Sequence, residues 1–373
     1  MKRYCFLMGI LLVISCSKDE TPSPETEQDS RSFYMGFTGF PYDNTSMAQL
    51  DTYEQVTANS DIFLNHLDHG VPWDEAFNDL PFPTEVQSTL DATKTGLKPN
   101  TKILLTATPT DQQRENLARY WNNNGSHQPL PAFWETKALD DPDVITAYLK
   151  YCRRIINEVQ PDYFAYGIEV TAAFRKEDAK YAQFLVLMET VYTALKLDYP
   201  DLPIFLTFQD RSFNNTHAEL LEVTSELLEF SDYMAISTYP FLNYQNLEQD
   251  ANPALFSDSW LADFQNLDLS KPVAISETGF CAEDLVIENL GVNVKGSANW
   301  QKDYLTKLFV HANEMDAEFV AWFVYRDYDL LYDKTANPTD IFKVWKDNGL
   351  LDGEGNKRPA HTIWDQWKAL PVD

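Results

Sequence analysis

Residues 271–280 read Lys-Pro-Val-Ala-Ile-Ser-Glu-Thr-Gly-Phe, a short apolar run that stops at a single carboxylate, Glu277. Near-continuous apolar runs of this kind are typical of strands buried on both faces, as in parallel sheets. Seven similar runs occur elsewhere in the chain, so that eight strands are predicted: Phe33–Phe40, Asp61–Leu67, Lys102–Ala107, Asp162–Glu169, Pro203–Phe208, Asp232–Tyr239, Pro272–Glu277 and Glu318–Tyr325.

Segments with helical periodicity separate these runs. They include Val144–Val159, Ala179–Asp198, Ala218–Phe230 and Trp300–Met315. Strands that alternate with helices eight times predict an α/β fold, a single (β/α)8 TIM barrel over residues 32–373. An open doubly wound sheet is the alternative, but no GxGxxG or P-loop pattern follows any of the strands.

The first 31 residues differ in character from the rest. A basic start precedes the apolar run Cys5–Ile14, which is too short to span a bilayer as a helix. The run ends Val13-Ile14-Ser15-Cys16, which is similar to a bacterial lipobox. Residues 1–15 are therefore predicted to be a lipoprotein signal peptide and Cys16 the lipidated residue. An ordinary signal peptide with a chance cysteine is the alternative.

Residues 16–31 are rich in Pro, Ser and Glu and predict a flexible tether. The acidic residues directly after Cys16 resemble a surface-export signal of outer-membrane lipoproteins. We therefore expect an outer-membrane lipoprotein exposed at the cell surface, attached to the membrane through lipid on Cys16, with a periplasm-facing protein as the alternative.

The charge of the chain narrows the range of partners. It has 373 residues, with 29 Lys and Arg against 57 Asp and Glu, and a net charge of −28. Such a surface repels phosphate backbones, so nucleic acid is excluded as a partner. A monomer is expected. Cys152 and Cys281 have no metal-binding or redox spacing and are predicted to be buried free thiols; a disulfide between them is the alternative.

The active site of a TIM barrel lies at the C-terminal ends of the strands. Glu169 and Glu277 close strands four and seven, where an isolated carboxylate is costly unless it is paired or used. Two carboxyl groups that converge from different sides of the mouth suit glycoside hydrolysis. The alternative is that each is held by a neighbouring cation such as Arg175 or Arg326.

Other polar or aromatic residues at strand ends are candidate carbohydrate contacts. Tyr239, ending strand six, can donate a hydrogen bond to Glu277 and favour its ionised form, unless it is an ordinary packed tyrosine. Trp322, ending strand eight, can form an apolar floor under a sugar ring, or belong to the core. The remaining candidates are His66, Asp68, Gln209, Tyr166 and Arg326.

His66, Asp68 and His69 form a possible metal cluster. However, the chain has no HExxH motif and no further ligand group with a recognised spacing, so no metal or cofactor is expected. Hydrogen bonding to substrate hydroxyls is the preferred role for these residues. The loop Thr108–Asp141, after strand three, interleaves aromatic residues with Asn and Gln, which suits either a sugar-binding cleft or a self-packed loop.

Strand six, Asp232–Phe241, and strand seven, Lys271–Phe280, resemble the corresponding strands of the clan A glycoside hydrolases, most closely the arabinogalactan endo-β-1,4-galactanases. The segment Gly349–Ala360 is similar to the closing segment of many such barrels. The resemblance implies a retaining mechanism with Glu277 as the nucleophile and Glu169 as the acid/base.

One position departs from the clan A pattern. The residue before the acid/base is an Asn that holds the substrate 2-hydroxyl in that clan, whereas this chain has Ile168. Either another residue such as Gln209 takes over the contact, or the substrate differs at that group, or the activity has been lost. Galactan is therefore not assigned as the substrate.

Three functions follow from these observations. The preferred one is a retaining glycosidase that cleaves an extracellular polysaccharide or oligosaccharide. The second is a non-catalytic glycan-binding surface lipoprotein on the same barrel, which Ile168 favours. The third is a metal-dependent hydrolase that uses the His66–His69 segment.

Overall fold

A closed barrel of eight parallel strands forms the centre of the protein. The computed structural model describes residues 29–211, 216–242, 248–257, 260–335 and 338–373. Each strand pairs with the next along the chain, and the last pairs with the first, which confirms the predicted TIM barrel. The strands are β1 Tyr34–Thr38, β2 Ile62–Leu67, β3 Lys102–Ala107, β4 Tyr163–Gly167, β5 Ile204–Gln209, β6 Met234–Thr238, β7 Val273–Thr278 and β8 Phe319–Trp322.

Helices surround the barrel, and the four predicted ones are present. Asp141 caps the start of one of them, with Pro142 in its first turn, and Gln160 ends it in the left-handed conformation. No described helix is long and apolar enough to cross a membrane. The longer helices are α1 Ser46–Asn59, α2 Thr84–Gly96, α3 Pro142–Val159, α4 Ala179–Asp198, α5 His217–Leu227, α6 Ala298–Glu314 and α7 Pro359–Lys368.

Short elements lie in the connections. A hairpin of two strands, Tyr120–Asn122 and Gly125–Gln128, belongs to the long loop after β3. A small sheet joins Glu248–Asp250, Leu285–Ile287 and Val292–Lys295. Short helices occur at Trp73–Phe77, Ala132–Glu135, Ala262–Gln265, Asp329–Lys334 and Lys343–Lys346.

Apolar side chains form two layers, one inside the barrel and one between the strands and the helices. Alternate residues of each strand point inward, because side chains in a strand alternate between its two faces. This alternation decides which strand-end residues face the mouth. The inner layer consists of Ile62, Leu64, Leu104, Tyr163, Ala165, Phe205, Ala235, Ala274, Phe319 and Ala321.

The N-terminal boundary differs slightly from the predicted one. Arg31, assigned to the tether, is 2% exposed and forms an ion pair of 2.8 Å with Asp61, and its backbone pairs with Val372. The folded part therefore includes Arg31. The signal peptide, Cys16 and most of the tether lie outside the described residues. Cys152 and Cys281 are both buried and unpaired, as predicted.

Candidate active site

Glu169 lies two residues beyond the end of β4, in a left-handed backbone conformation with φ of +47°. This conformation costs a non-glycine residue about 1 kcal/mol, so the surrounding contacts must hold it. The backbone N–H of Glu169 donates to Thr207 Oγ1 at 2.7 Å, and the next N–H, of Val170, donates to the Thr207 carbonyl. The turn thereby directs the carboxyl group of Glu169 toward the mouth.

Gly167 makes this turn possible. A Cβ atom at this position would lie 2.7 Å from side-chain atoms of both Leu206 and Val170. The pairing of β4 with β5 shifts register between Ala165 and Gly167. A larger residue at 167 would therefore displace the turn that carries Glu169.

Glu277 lies within β7, and a bulge turns it toward the mouth. Ile275 pairs with Ile236 on β6, but the next pair is Glu277 with Ser237, so that Ser276 is an extra residue. The phenol of Tyr239 donates to Glu277 Oε1 at 2.6 Å. The predicted contact between Tyr239 and Glu277 is thus present, at a length typical of a charge-assisted hydrogen bond.

Ser237 connects the two glutamates. Its hydroxyl donates to Glu169 Oε1 at 2.8 Å, while its backbone pairs with Glu277. The side chains of Glu169 and Glu277 are 21% and 18% exposed, so both carboxylates remain accessible from the mouth. The chain therefore brings the two predicted carboxyl groups into one site.

A buried cation, Arg114, lies beside the pair. It comes from the long loop after β3, and its guanidinium binds both oxygens of Asp68, at 3.1 and 2.9 Å. Its Nη2 also lies 3.8 Å from Glu169 Oε2. The cations considered from the sequence have other partners: Arg175 pairs with Glu219, and Arg326 stacks on Tyr42.

Burial and nearby charges shift the pKa values of the carboxyl groups. Burial raises the pKa of Glu169, the cation Arg114 opposes this, and the negative charge of Glu277 raises it further. Burial also raises the pKa of Glu277, while the hydrogen bond from Tyr239 and the charge of Arg114 lower it. The pKa of both carboxyl groups lies above its ordinary value, and the hydrogen bond from Tyr239 favours the ionised form of Glu277.

The histidines of β2 and its following loop are neutral at pH 7. Burial lowers the pKa of His66, whose Nδ1 lies 3.5 Å from Glu277 Oε2. Burial also lowers the pKa of His69 to about 4, and its ring centre lies 4.9 Å from that of Trp121. As a neutral donor or acceptor, His66 suits a sugar hydroxyl next to the nucleophile.

Gln209 faces the mouth at the end of β5. Asp68 takes part in the site indirectly, by binding Arg114. Gln209 pairs with Ser237 across the sheet, and its amide oxygen accepts from Arg211 Nε at 2.7 Å. Burial alone would raise the pKa of Asp68, but the bidentate contact with Arg114 lowers it below its ordinary value. Asp68 therefore holds Arg114 in place.

Two predicted contacts are wrong, and a third residue, Arg326, lies away from the two glutamates. Tyr166 is fully buried on the outer side of β4, and its hydroxyl donates to the carbonyl of Phe230 at 2.7 Å. Trp322 is likewise fully buried on the outer side of β8, and its indole donates to the carbonyl of Asn348. Arg326 lies at the rim, with its guanidinium 4.0 Å from the centre of the Tyr42 ring. Tyr166 and Trp322 fail for the same reason: both occupy outward positions of their strands.

The structure adds residues that the sequence did not single out: Arg114, Ser237 and Phe323. Phe323 continues the inward positions Phe319 and Ala321 of β8, so it, and not Trp322, is the half-buried aromatic ring at that strand end. The alternation along β6 and β8 could have identified Ser237 and Phe323. Nothing in the sequence distinguishes Arg114 from the other cations of its loop.

Ile168 occupies the position before the predicted acid/base, where clan A enzymes have an Asn. Its side chain is 2% exposed, so the position offers the mouth no polar group.

The His66–His69 segment also does not form a three-ligand cluster. Within the described residues, the group that brings three such ligand atoms within 4.8 Å is Glu283, Asp327 and Asp347, where Arg358 forms ion pairs with two of the acids.

Comparison with known proteins gives a likeness of fold. No protein-family profile and no curated protein matches the sequence. A GH5_18 variant from Streptomyces cattleya, solved in complex with Manβ1-4GlcNAc, matches with a TM-score of 0.63 and 12% identity over 91% of this chain and 82% of its own. Xylanase 10B from Thermotoga maritima matches with a TM-score of 0.57 and 13% identity, covering 90% of this chain and 95% of its own.

A third similar structure is the exo-β-1,4-mannosidase Op5Man5 from Opitutaceae bacterium strain TAV5. Its TM-score is 0.61 at 14% identity, over 91% of this chain and 60% of its own. At such identities the likeness establishes the barrel. These three similar structures are clan A glycoside hydrolases.

Proposed function

We propose that this protein is a retaining glycoside hydrolase that cleaves a β-linked glycan outside the cytoplasm. The observation that carries the proposal is the convergence of Glu169 and Glu277 from β4 and β7, with Ser237 between them and Tyr239 on the second. The resemblance of β7 to a nucleophile strand and the glycoside hydrolases among the similar structures support it.

The first step needs one proton donor and one nucleophile. Glu169 acts in its protonated form, which burial and the charge of Glu277 favour by raising its pKa, and it gives its proton to the glycosidic oxygen. Glu277 attacks the anomeric carbon with Oε2, because Oε1 accepts the hydrogen bond from Tyr239. The glycosidic bond breaks, and an ester forms between the sugar and Glu277.

The second step reverses the roles of the groups. Glu169, now ionised, takes a proton from a water molecule, whose oxygen attacks the anomeric carbon and releases Glu277. Arg114 and Ser237 stabilise the ionised form of Glu169 in this step. Two inversions leave the anomeric configuration of the substrate unchanged.

The similar structures suggest which sugars to test first. One is bound to Manβ1-4GlcNAc, one is named a β-1,4-mannosidase and one a xylanase. The test panel comprises β-1,4-linked manno-, xylo- and gluco-oligosaccharides of two to six units, with product release followed by mass spectrometry. The proposal expects shorter products from at least one series. Binding of a series without product release would instead support a non-catalytic glycan-binding protein.

We expect that the double variant Arg114→Met with Asp68→Asn moves the alkaline limb of the kcat/KM profile to higher pH. Arg114 lowers the pKa of Glu169, so without this cation Glu169 stays protonated to higher pH. The paired change avoids leaving Asp68 as a buried, unpaired charge, which would destabilise the fold. The measurement is the rate of hydrolysis across pH.

Arg119→Met provides the matched control, because Arg119 is an exposed cation of the same loop. We expect the alkaline limb of the control to coincide with that of the wild type. An unchanged alkaline limb in the double variant, with an unchanged melting temperature, would contradict the proposed influence of Arg114 on Glu169.

We also propose that the protein is anchored to the outer membrane through lipid on Cys16, at the cell surface. The lipobox-like run before Cys16 and the polar, acidic stretch after it support this location. Cys16→Ser is expected to abolish incorporation of labelled fatty acid and to move the protein from the membrane to the soluble fraction. Protease treatment of intact cells then distinguishes surface exposure from a periplasmic orientation. Labelling of Cys16→Ser equal to that of the wild type would contradict the anchor.

A further inference from the structure

A cavity lies beside the C-terminal ends of β1 and β8, at the same end of the barrel as the two glutamates. Its volume is about 370 Å³, within the usual range of small-molecule sites. The wall is built from the segments that follow β1 and β8, from the middle of α1, and from the turn that precedes α7. The polar and aromatic residues of the wall include Tyr42, Asp51, Gln55, Arg326, Glu354 and Lys357.

Two aromatic rings connect this cavity with the reaction centre. The backbone N–H of Phe323 donates to the carbonyl of Thr278, the residue after Glu277. The ring centre of Phe323 lies 5.3 Å from that of Phe40, and Phe40 lines the cavity. A chain of sugar units that leaves the site over these rings would reach the cavity, because apolar sugar faces pack on aromatic rings.

Arg326 is prepared to bind a ligand in the cavity. The ring of Tyr42 supports its guanidinium at 4.0 Å, and its Nη2 donates to the carbonyl of Gly353. Its Nε, although buried, has no hydrogen-bond partner among the described residues. A buried donor without a partner is costly, and a small movement of the side chain would let a ligand hydroxyl satisfy it.

The charges of the wall indicate a neutral ligand. Two cations, Arg326 and Lys357, line the cavity together with two anions, Asp51 and Glu354. Such a balance offers hydrogen-bond donors and acceptors without a net attraction for phosphate or carboxylate groups. Neutral, hydroxyl-rich rings fit this combination of polar groups and aromatic surface.

We infer that this cavity is a subsite for a further neutral sugar unit of the same glycan, beyond the two units that flank the cleaved bond. The inference rests on the proposed function and extends it: the substrate is an oligosaccharide or polysaccharide longer than a disaccharide. A sugar unit bound here adds to the affinity of chains that fill both the reaction centre and the cavity.

The test compares chain lengths in variants that block or weaken the cavity. Gln55 is an exposed residue of α1 that lines it, so Gln55→Trp fills it without disturbing the core. Arg326→Met removes the donor. The matched control is Glu54→Trp, which places the same indole on the neighbouring exposed position, outside the cavity wall.

For the series that the wild type hydrolyses, we expect kcat/KM for the pentasaccharide to fall about tenfold relative to the disaccharide in Gln55→Trp and in Arg326→Met. Glu54→Trp should keep the wild-type ratio. If the wild type hydrolyses both lengths and all three variants share its ratio, the subsite is wrong while the glycosidase function stands.

If the wild type hydrolyses no member of the panel, the proposed function fails and the subsite is tested by binding. Isothermal titration with the pentasaccharides then decides between the outcomes. Binding that Gln55→Trp weakens and Glu54→Trp preserves supports the subsite. Binding that is equal in both variants, or no binding of any pentasaccharide, overturns it.

Discussion

Glu277→Gln is expected to lower kcat by about 10⁴-fold, equivalent to about 5.4 kcal/mol of transition-state stabilisation. The amide keeps the shape of the carboxylate and can still contact Tyr239, but it cannot form the ester with the anomeric carbon. The prediction is checked by the rate of product formation of Glu277→Gln and of the wild type. The substrate is the oligosaccharide of the panel that the wild type hydrolyses fastest.

Glu288→Gln is the matched control for this experiment, because it makes the same change of charge at an exposed position outside the site. It should retain the wild-type rate. A Glu277→Gln protein that melts at the wild-type temperature and keeps more than about a tenth of the wild-type rate would refute the role of Glu277.

Glu169→Ala should show a loss that depends on the leaving group. General acid catalysis contributes about 10²- to 10⁴-fold, and a poor leaving group needs all of it. We therefore expect a loss of this size with oligosaccharides but a much smaller one in the glycosylation step of dinitrophenyl glycosides, which need no protonation. Pre-steady-state release of dinitrophenol measures that step.

Azide provides a second measurement for the same variant. A small anion can enter the space left by Glu169 and attack the glycosyl intermediate without base catalysis. The expected product is a glycosyl azide of retained configuration, formed by Glu169→Ala and not by the wild type. Equal losses for good and poor leaving groups, without azide rescue, would contradict the assignment of Glu169 as the acid/base.

The sequence alone predicted the fold and the position of Glu169 and Glu277 at the barrel mouth, because both depend on local patterns. Each strand is a distinct apolar run, and a carboxylate at the end of such a run is conspicuous. The contact from Tyr239 to Glu277 followed because strands six and seven are neighbours in the barrel.

The errors came from the direction of side chains at strand ends. Tyr166 has the parity opposite to Tyr163 and Ala165, and Trp322 the parity opposite to Phe319 and Ala321. An apolar run that is buried on both faces does not reveal which parity is inward. The bulge at Ser276 also shifts the register between β6 and β7, and no residue type in the sequence predicts this bulge.

Arg114 could not be predicted for a different reason. It reaches Asp68 and Glu169 from a long loop, and the position of a cation within such a loop depends on contacts between residues distant in sequence. Of the two interpretations of that loop, self-packing accounts for Trp121 and Trp134, which are both buried.

The most direct test of the two-glutamate mechanism is to trap the glycosyl-enzyme. The protein is incubated with the 2-deoxy-2-fluoro-β-glycosyl fluoride of the sugar that the panel identifies, then digested and sequenced by mass spectrometry. A retaining mechanism predicts one label per chain, on the peptide that holds Glu277, and none on Glu277→Gln. A label on another residue, or rapid turnover of the natural substrate with inverted product and no label, would contradict it.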